Sequence, residues 1–231
     1  MRWILLCLTL GLAQFGVALA QPMTTSQVDF DFDGTRLVGL LDVPTDRETQ
    51  GLVIIVHGYG STDVVRQNWY YDLRGNLALR GFASFVWDKP GNGLSEGTFD
   101  INQPVESSAD EVLAAAAFLR SQNIPGADNI GLWGISRAGW IAPLALTQDP
   151  DLVFWISVSG VDGKESFGYL LRSNWAVLGY SAETMEALHA EWLAGTGITA
   201  TGGSYTEYLD ATRRYHADPF VQQFYGGAED P

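Results

Sequence analysis

One cysteine, three histidines and 13 lysines and arginines against 27 acidic residues are the scarcities of this 231-residue chain. Each removes a class of function. Cys7 lies in an apolar leader and no cysteine follows it, so a chain without its leader has no disulfide, thiolate nucleophile or cysteine-ligated metal. His57, His189 and His216 show no ligand spacing such as H-E-x-x-H, so no metal is expected. A formal charge of −14 opposes binding to nucleic acid or anionic lipid, and the acidic excess reads as solvated surface. Neither Gly58-x-Gly60 nor Gly91-x-Gly93 is completed by a third glycine at the needed spacing, and no Walker-type lysine motif occurs. No cofactor is therefore expected. No internal repeat or low-complexity tract is present.

Apolar residues make up 46% of the chain and charged residues 17%, the balance of one folded domain with a large core. Residues 1–20 read as a secretory signal. Arg2 opens it, residues 3–12 are apolar apart from Thr9 and Gly11, and Ala18-Leu19-Ala20 offers a cleavage site before Gln21-Pro22. The alternative, a membrane anchor, needs roughly 20 apolar residues, which this stretch with its Gln14 barely supplies. The mature protein is expected to be secreted or periplasmic, with no membrane span. Residues 21–160 then form a core and residues 161–231 a helical segment; oligomeric state is open.

Residues 27–32 alternate apolar and polar as a half-buried strand does, Asp33-Gly34 is a hairpin turn, and residues 35–43 resume as a strand up to Pro44. Residues 52–56, 82–87, 129–133 and 152–158 are apolar runs of the kind that sheets cover on both faces. Residues 69–80 and 105–122 are of helix length, the second with Ser108-x-x-Glu111 as a capping box. Strand and helix in alternation predict a mostly parallel sheet, with an antiparallel hairpin at one edge. After Gly160, residues 166–178, 182–193 and 205–215 look helical. Gly195-Thr196-Gly197 and Thr201-Gly202-Gly203-Ser204 read as flexible breaks between them. These helices suit either a lid over an apolar site or a cover for the sheet.

Gly134-Ile135-Ser136-Arg137-Ala138-Gly139 stands between a predicted strand and a predicted helix. A serine between small residues at such a turn is held clear of the sheet, where a base can take its proton. The alternative is that Ser136 merely caps the following helix. His57-Gly58-Tyr59-Gly60 follows the third strand, and its glycines let a loop pass close to the serine. The backbone N–H groups of Tyr59 and Arg137 are the expected donors to an oxyanion. His57 reads as a base or, better, as a residue that orients the loop. Asp88-Lys89-Pro90-Gly91-Asn92-Gly93-Leu94-Ser95 closes the fourth strand as a tight structural turn at the rim of the site.

In this order, His57-Gly58, Asp88-Lys89-x-Gly91-x-Gly93-x-Ser95 and Gly134-x-Ser136 resemble the α/β-hydrolase superfamily. The likeness, carried by residues 27–160, is greatest to exported serine hydrolases with a helical insertion after the sixth strand, of the serine-aminopeptidase-like or acyl-esterase type. It implies a mostly parallel, doubly wound α/β sheet with a helical lid. The last position of the elbow, usually glycine, is Ala138, with Gly139 behind it; alanine is small enough for close packing. The resemblance also implies an acid and a histidine after the serine, following a seventh and an eighth strand. Past Val158 no strand-like apolar run occurs, and the chain reads as a truncated hydrolase. Asp162 and His216 are the downstream candidates for acid and base, although Val161-Asp162-Gly163 is also turn chemistry and His216 also suits a linker. His189 falls within a predicted helix.

The expected function is hydrolysis of a small-molecule ester, thioester or amide through an acyl-enzyme on Ser136. The alternative is a non-catalytic hydrolase-fold binding protein, or an inactive fragment without acid and base. A sheet without its last strands is expected to expose an apolar edge.

Overall fold

A computed structural model describes residues 22–160 and 166–225. The signal expected at residues 1–20 and the candidate acid Asp162 lie outside the described residues. Strands β1 (Met23–Phe32) and β2 (Thr35–Pro44) form the hairpin, and its turn residues Asp33 and Gly34 take φ of 50° and 75°. Positive φ at both positions gives the turn a twist that matches the strands. Strands β3 (Gly51–Val56), β4 (Phe82–Trp87), β5 (Ile130–Ile135) and β6 (Leu152–Val158) complete a sheet of order β1-β2-β4-β3-β5-β6. The first two pairings are antiparallel and the other three parallel.

Every residue of β3 is buried, because helices cover both of its faces. Leu52, Ile54 and Val56 pack with Phe85 and Trp87 under α3 (Val105–Ser121) and α4 (Ala138–Gln148). On the opposite face Ile55, Val86 and Leu40 meet α1 (Val64–Gln67), with Leu73 of α2 (Tyr71–Ala78) packed against them. Full burial of each such side chain contributes about 1.5–3 kcal/mol. Arg74 of α2 is fully buried and binds both Asp42 oxygens, at 2.6 and 3.0 Å. Thr25 and Ser84 hydroxyls also donate to Asp42, so this buried pair is hydrogen-bonded throughout and ties α2 to β2.

Two helical expectations change. The helix expected at 69–80 is shorter: α2 runs from Tyr71 to Ala78 and starts only after Tyr70, whose left-handed φ of 57°, with 52° at Asn68, separates it from the unanticipated α1. Nor is Ser108-x-x-Glu111 a capping box. Helix α3 starts at Val105 with Pro104 at its N-cap, so Ser108 already lies inside the helix, and Glu111 turns inward to bond side chains.

After β6 come α5 (Ser166–Val177), α6 (Ala182–Ala200), α7 (Tyr205–Ala211), α8 (Arg213–Ala217) and α9 (Pro219–Tyr225). They bury a core of their own around Leu171, Trp175, Leu188, Tyr215, Phe220 and Val221. Helix α6 continues through Gly195, which is no flexible break. A β-carbon there would stand 2.5 Å from Thr212 Cγ2 and 2.9 Å from Tyr208 Cε2, so the glycine is a contact surface for α7. The capping box in this region is Ser204 with Glu207, at the start of α7. Helix α9 was not anticipated. Asp218 holds it by accepting from the Phe220 and Val221 N–H groups, the Trp175 indole and the Tyr180 hydroxyl.

β6 is the sheet edge among the described residues, and Val153 and Ile156 on it are exposed. No described helix is long and apolar enough to cross a membrane.

Candidate active site

The order of the sheet reverses at β3: the chain goes from β3 to β4 on one side and reaches β5 on the other. In an open α/β sheet such a reversal leaves a crevice at the carboxyl ends of the two diverging strands. The loop beginning at His57 leaves β3 there, and Ser136 leaves β5 there.

Ser136 sits between β5 and α4 with φ of 54°. This left-handed conformation costs a non-glycine residue about 1–2 kcal/mol. The turn is pinned at both ends: Ser136 N–H donates to Val158 O at 3.1 Å, and Ser136 O accepts from Gly139 N–H at 2.8 Å. The tightness explains the small residues. A β-carbon on Gly134 would stand 2.7 Å from Ala138 Cβ, and Ala138 is itself fully buried. A β-carbon on Gly58 would stand 3.4 Å from Ser136 Cβ, so the loop after β3 runs directly beside the serine.

Among the described residues neither the Tyr59 N–H nor the Arg137 N–H donates to another group, and the Ser136 hydroxyl makes no hydrogen bond. An open hydroxyl and two open backbone donors thus flank a cavity of about 340 Å³. Its walls include Tyr59, Ile101, Pro104, Val105 and Trp140. No lining residue lies beyond Trp140, so among the described residues the apolar wall comes from the segment before α3 and from α4, and not from α5–α9. The Arg137 guanidinium holds this segment by donating to Gln103 O at 2.5 Å and to Ser108 Oγ at 3.0 Å. Gln103 in turn donates to Glu111, which also accepts from the Trp87 indole. Burial raises the pKa of Glu111 and lowers that of Arg137.

The loop after β4 is built around Asp88. Its carboxylate accepts from Val64 N–H at 2.5 Å and Leu94 N–H at 3.0 Å. Gly93, at φ of 50°, passes so close that a β-carbon would stand 2.0 Å from Asp88 Oδ2. Gly91, at φ of 69°, similarly faces the Phe99 backbone. Ser95 donates to Asp88 O and accepts from Val38 N–H. Lys89 sends its Nζ to Gly58 O at 2.7 Å and Gly60 O at 2.8 Å. Burial, reinforced by the Arg137 charge and opposed by Glu111, brings its pKa down to about 8.

His57 is buried among Trp69, Tyr70 and Trp87. Its Nε2 lies 2.6 Å from Trp87 O. A carbonyl only accepts, so Nε2 carries the proton and donates. Nδ1 is buried without a partner. Burial brings the His57 pKa down to about 4, with the Lys89 charge acting in the same direction and the Trp87 carbonyl against it. His216, on α8, pairs with the Tyr208 hydroxyl at 2.9 Å. His189 is buried in α6 and stacks on Trp192. The structure therefore brings Ser136, the His57 loop and Arg137 together, and no described histidine hydrogen-bonds Ser136. Sequence reading missed Gln103, Glu111, Trp140 and Lys89; only Lys89 carried a signal, its place within the Asp88 motif. Among the described residues no group of three His, Cys, Asp or Glu side chains could hold a metal ion.

The sequence pattern of the X-Pro dipeptidyl-peptidase family (S15) matches residues 33–219. No curated protein matches the chain. Among solved structures, the α/β hydrolase GrgF from Penicillium sp. sh18 is similar at a TM-score of 0.53 and 19% identity, over 67% of this chain and 53% of its own. A Pyrococcus furiosus esterase gives a TM-score of 0.52 at 16% identity, over 71% and 59%. A dienelactone hydrolase from Anabaena variabilis gives 0.51 at 21%, over 60% and 64%. The chain thus spans less than two thirds of each of these proteins, and the likeness is one of fold.

Proposed function

The chain belongs to the X-Pro dipeptidyl-peptidase family (S15) of the α/β-hydrolase superfamily, and we propose that it is a serine hydrolase acting on a small-molecule ester, thioester or amide through Ser136. The observation that carries the reading is the left-handed φ of 54° at Ser136, which sets an open hydroxyl beside two open backbone donors and an apolar cavity. In the reaction Ser136 Oγ bonds the substrate carbonyl carbon and gives up its proton. The Tyr59 and Arg137 N–H groups stabilise the oxyanion, and the alcohol, thiol or amine leaves as the acyl-enzyme forms. Water then releases the acid. The apolar walls favour an uncharged acyl group.

The base is the open part of the proposal. His57 is bonded to a carbonyl and His216 to a tyrosine hydroxyl, while His189 has no bond to Ser136. Asp162, outside the described residues, and His216 stay the candidates for acid and base, and no described contact joins His216 to Ser136. Without a base, oxyanion and binding contributions retain only about 10³–10⁴ over water. The same observation favours a second reading, a hydrolase fold that binds a ligand without turning it over.

A fluorophosphonate probe separates the two. Labelling that disappears in Ser136→Ala supports the enzyme, and a cooperatively folded chain that takes no label overturns it. We further propose that residues 1–20 direct export; the N-terminal sequence of the mature protein then begins at Gln21.

A further inference from the structure

We propose that Lys89 is a positioning residue for the oxyanion site: its ammonium grips the loop on both sides of Tyr59 and so aims the Tyr59 N–H at Ser136. The proposal rests on the reading of Ser136 as nucleophile. Its geometry is independent of that reading.

Gly58 O and Tyr59 N–H belong to one peptide unit. The described chain contains no cis peptide, so this carbonyl and this N–H point in opposite directions. Drawing Gly58 O onto Lys89 Nζ at 2.7 Å therefore turns Tyr59 N–H away from Lys89. The same peptide lies beside the elbow, where a β-carbon on Gly58 would touch Ser136 at 3.4 Å. The bond to Gly60 O at 2.8 Å holds the following turn, in which Gly60 has φ of 96°. Glycines on both sides leave these peptide units few steric barriers to rotation, so their orientation depends on such tethers.

Lys89 is itself fixed. Its N–H donates to Thr62 Oγ1 at 2.8 Å, and Thr62 N–H donates to Asn92 Oδ1 at 2.9 Å. Asp88 beside it is held by backbone N–H groups from the start of α1 and from its own loop. The ammonium is largely buried with carbonyl oxygens as its bonded partners, a costly place for a charge that an apolar side chain of similar length could fill. The charged and titratable groups facing it are Glu111, Arg137 and His57. Charge-assisted bonds are roughly twice as strong as neutral ones. The grip therefore weakens as Lys89 loses its proton near pH 8.

The test uses the full chain, Lys89→Met and Lys89→Arg, each checked for a cooperative melt. Two quantities are read across pH 7–10: the rate of fluorophosphonate labelling at Ser136, and the Tyr59 amide resonance of ¹⁵N-labelled protein. Removing an oxyanion donor outright costs about 10²–10³, so a loosened donor is expected to slow labelling of Lys89→Met about tenfold. Lys89→Arg restores the rate to within a few-fold of wild type and holds it past pH 8, where the wild-type rate declines. The Tyr59 amide shifts as wild type passes pH 8, and not in Lys89→Arg. A folded Lys89→Met labelled at the wild-type rate overturns the proposal. If wild type takes no label, the serine-hydrolase reading fails and the amide decides: a Tyr59 resonance indifferent to both pH and Lys89→Arg overturns the positioning role. The amide comparison also decides if Lys89→Met fails to fold.

Discussion

Gly58 and Ser136 approach so closely that a β-carbon on the glycine would lie 3.4 Å from Ser136 Cβ and 3.3 Å from Ile135 O. Two loops from different strands are thus in contact at the point where the chemistry is proposed. Gly58→Ala asks backbone on one side or the other to yield by a few tenths of an ångström. A misplacement of about 1 Å can cost 10²-fold in rate, so a smaller one is expected to cost about tenfold. The fluorophosphonate labelling rate should fall by that factor while the melting temperature changes little. Gly58→Val should be slower still. An unchanged rate in a folded Gly58→Ala would mean that this contact does not set the site.

His57 makes stability depend on acid. Its folded-state pKa is about 4 against an ordinary 6.5, so between those values the unfolded chain binds more protons. Stability is then fully present above pH 6.5 and is lost as pH falls towards 4. The difference corresponds to about 3 kcal/mol. Glu111, raised by burial, acts in the opposite sense, so a comparison with a variant is needed to isolate the histidine. Denaturant unfolding of wild type and His57→Gln from pH 4 to 8 should show the acid loss shrinking in the variant, which keeps a donor for Trp87 O. Equal slopes would exclude His57 as its source.

Arg74 and Asp42 present a choice between two kinds of loss. Arg74→Met removes a fully buried cation and leaves Asp42 with its hydroxyl partners but no counter-charge. Breaking such a pair from one side costs about 3–5 kcal/mol, while replacing both partners by apolar groups is often neutral. Arg74→Met should therefore lower the unfolding free energy by that amount, and Arg74→Met with Asp42→Leu should recover most of it. A single variant losing under about 1 kcal/mol would show that the site is open to water.

The elements carrying the site were legible because they follow local rules. The buried strands are continuous apolar runs, and Asp33-Gly34 and Gly134-x-Ser136 are turns whose residue types the backbone demands. Side chains that act at a distance were not. Glu111 read as a helix cap because its spacing from Ser108 is that of a capping box, yet its partners Trp87 and Gln103 come from a strand end and a loop. Arg74 gave no signal, since a buried arginine is recognised only by an aspartate 32 residues away in sequence. Residue types after Gly160 suited a lid or a cover for the sheet alike, because which helix faces meet is not a local property. Trp175, Tyr215 and Phe220 fill a core of their own, and the described apolar wall beside Ser136 includes the segment preceding α3 and Trp140.

Gly195 and Gly197 of α6 set intrinsic propensity against packing within two residues of each other. In a helix interior alanine is favoured over glycine by about 0.8–1.0 kcal/mol. Gly197 is exposed, and a β-carbon there meets nothing within 4 Å, so Gly197→Ala should gain most of that amount. At Gly195 the same methyl group would stand 2.5 Å from Thr212 Cγ2 and 2.9 Å from the Tyr208 ring. Overpacking of this kind typically costs about 1–3 kcal/mol, more than the propensity returns. Gly195→Ala should therefore destabilise the chain, in proportion to how far α7 must move. Thermal or denaturant unfolding of the two variants beside wild type should show shifts of opposite sign. Two stabilising shifts would show that Gly195 makes no close contact to α7.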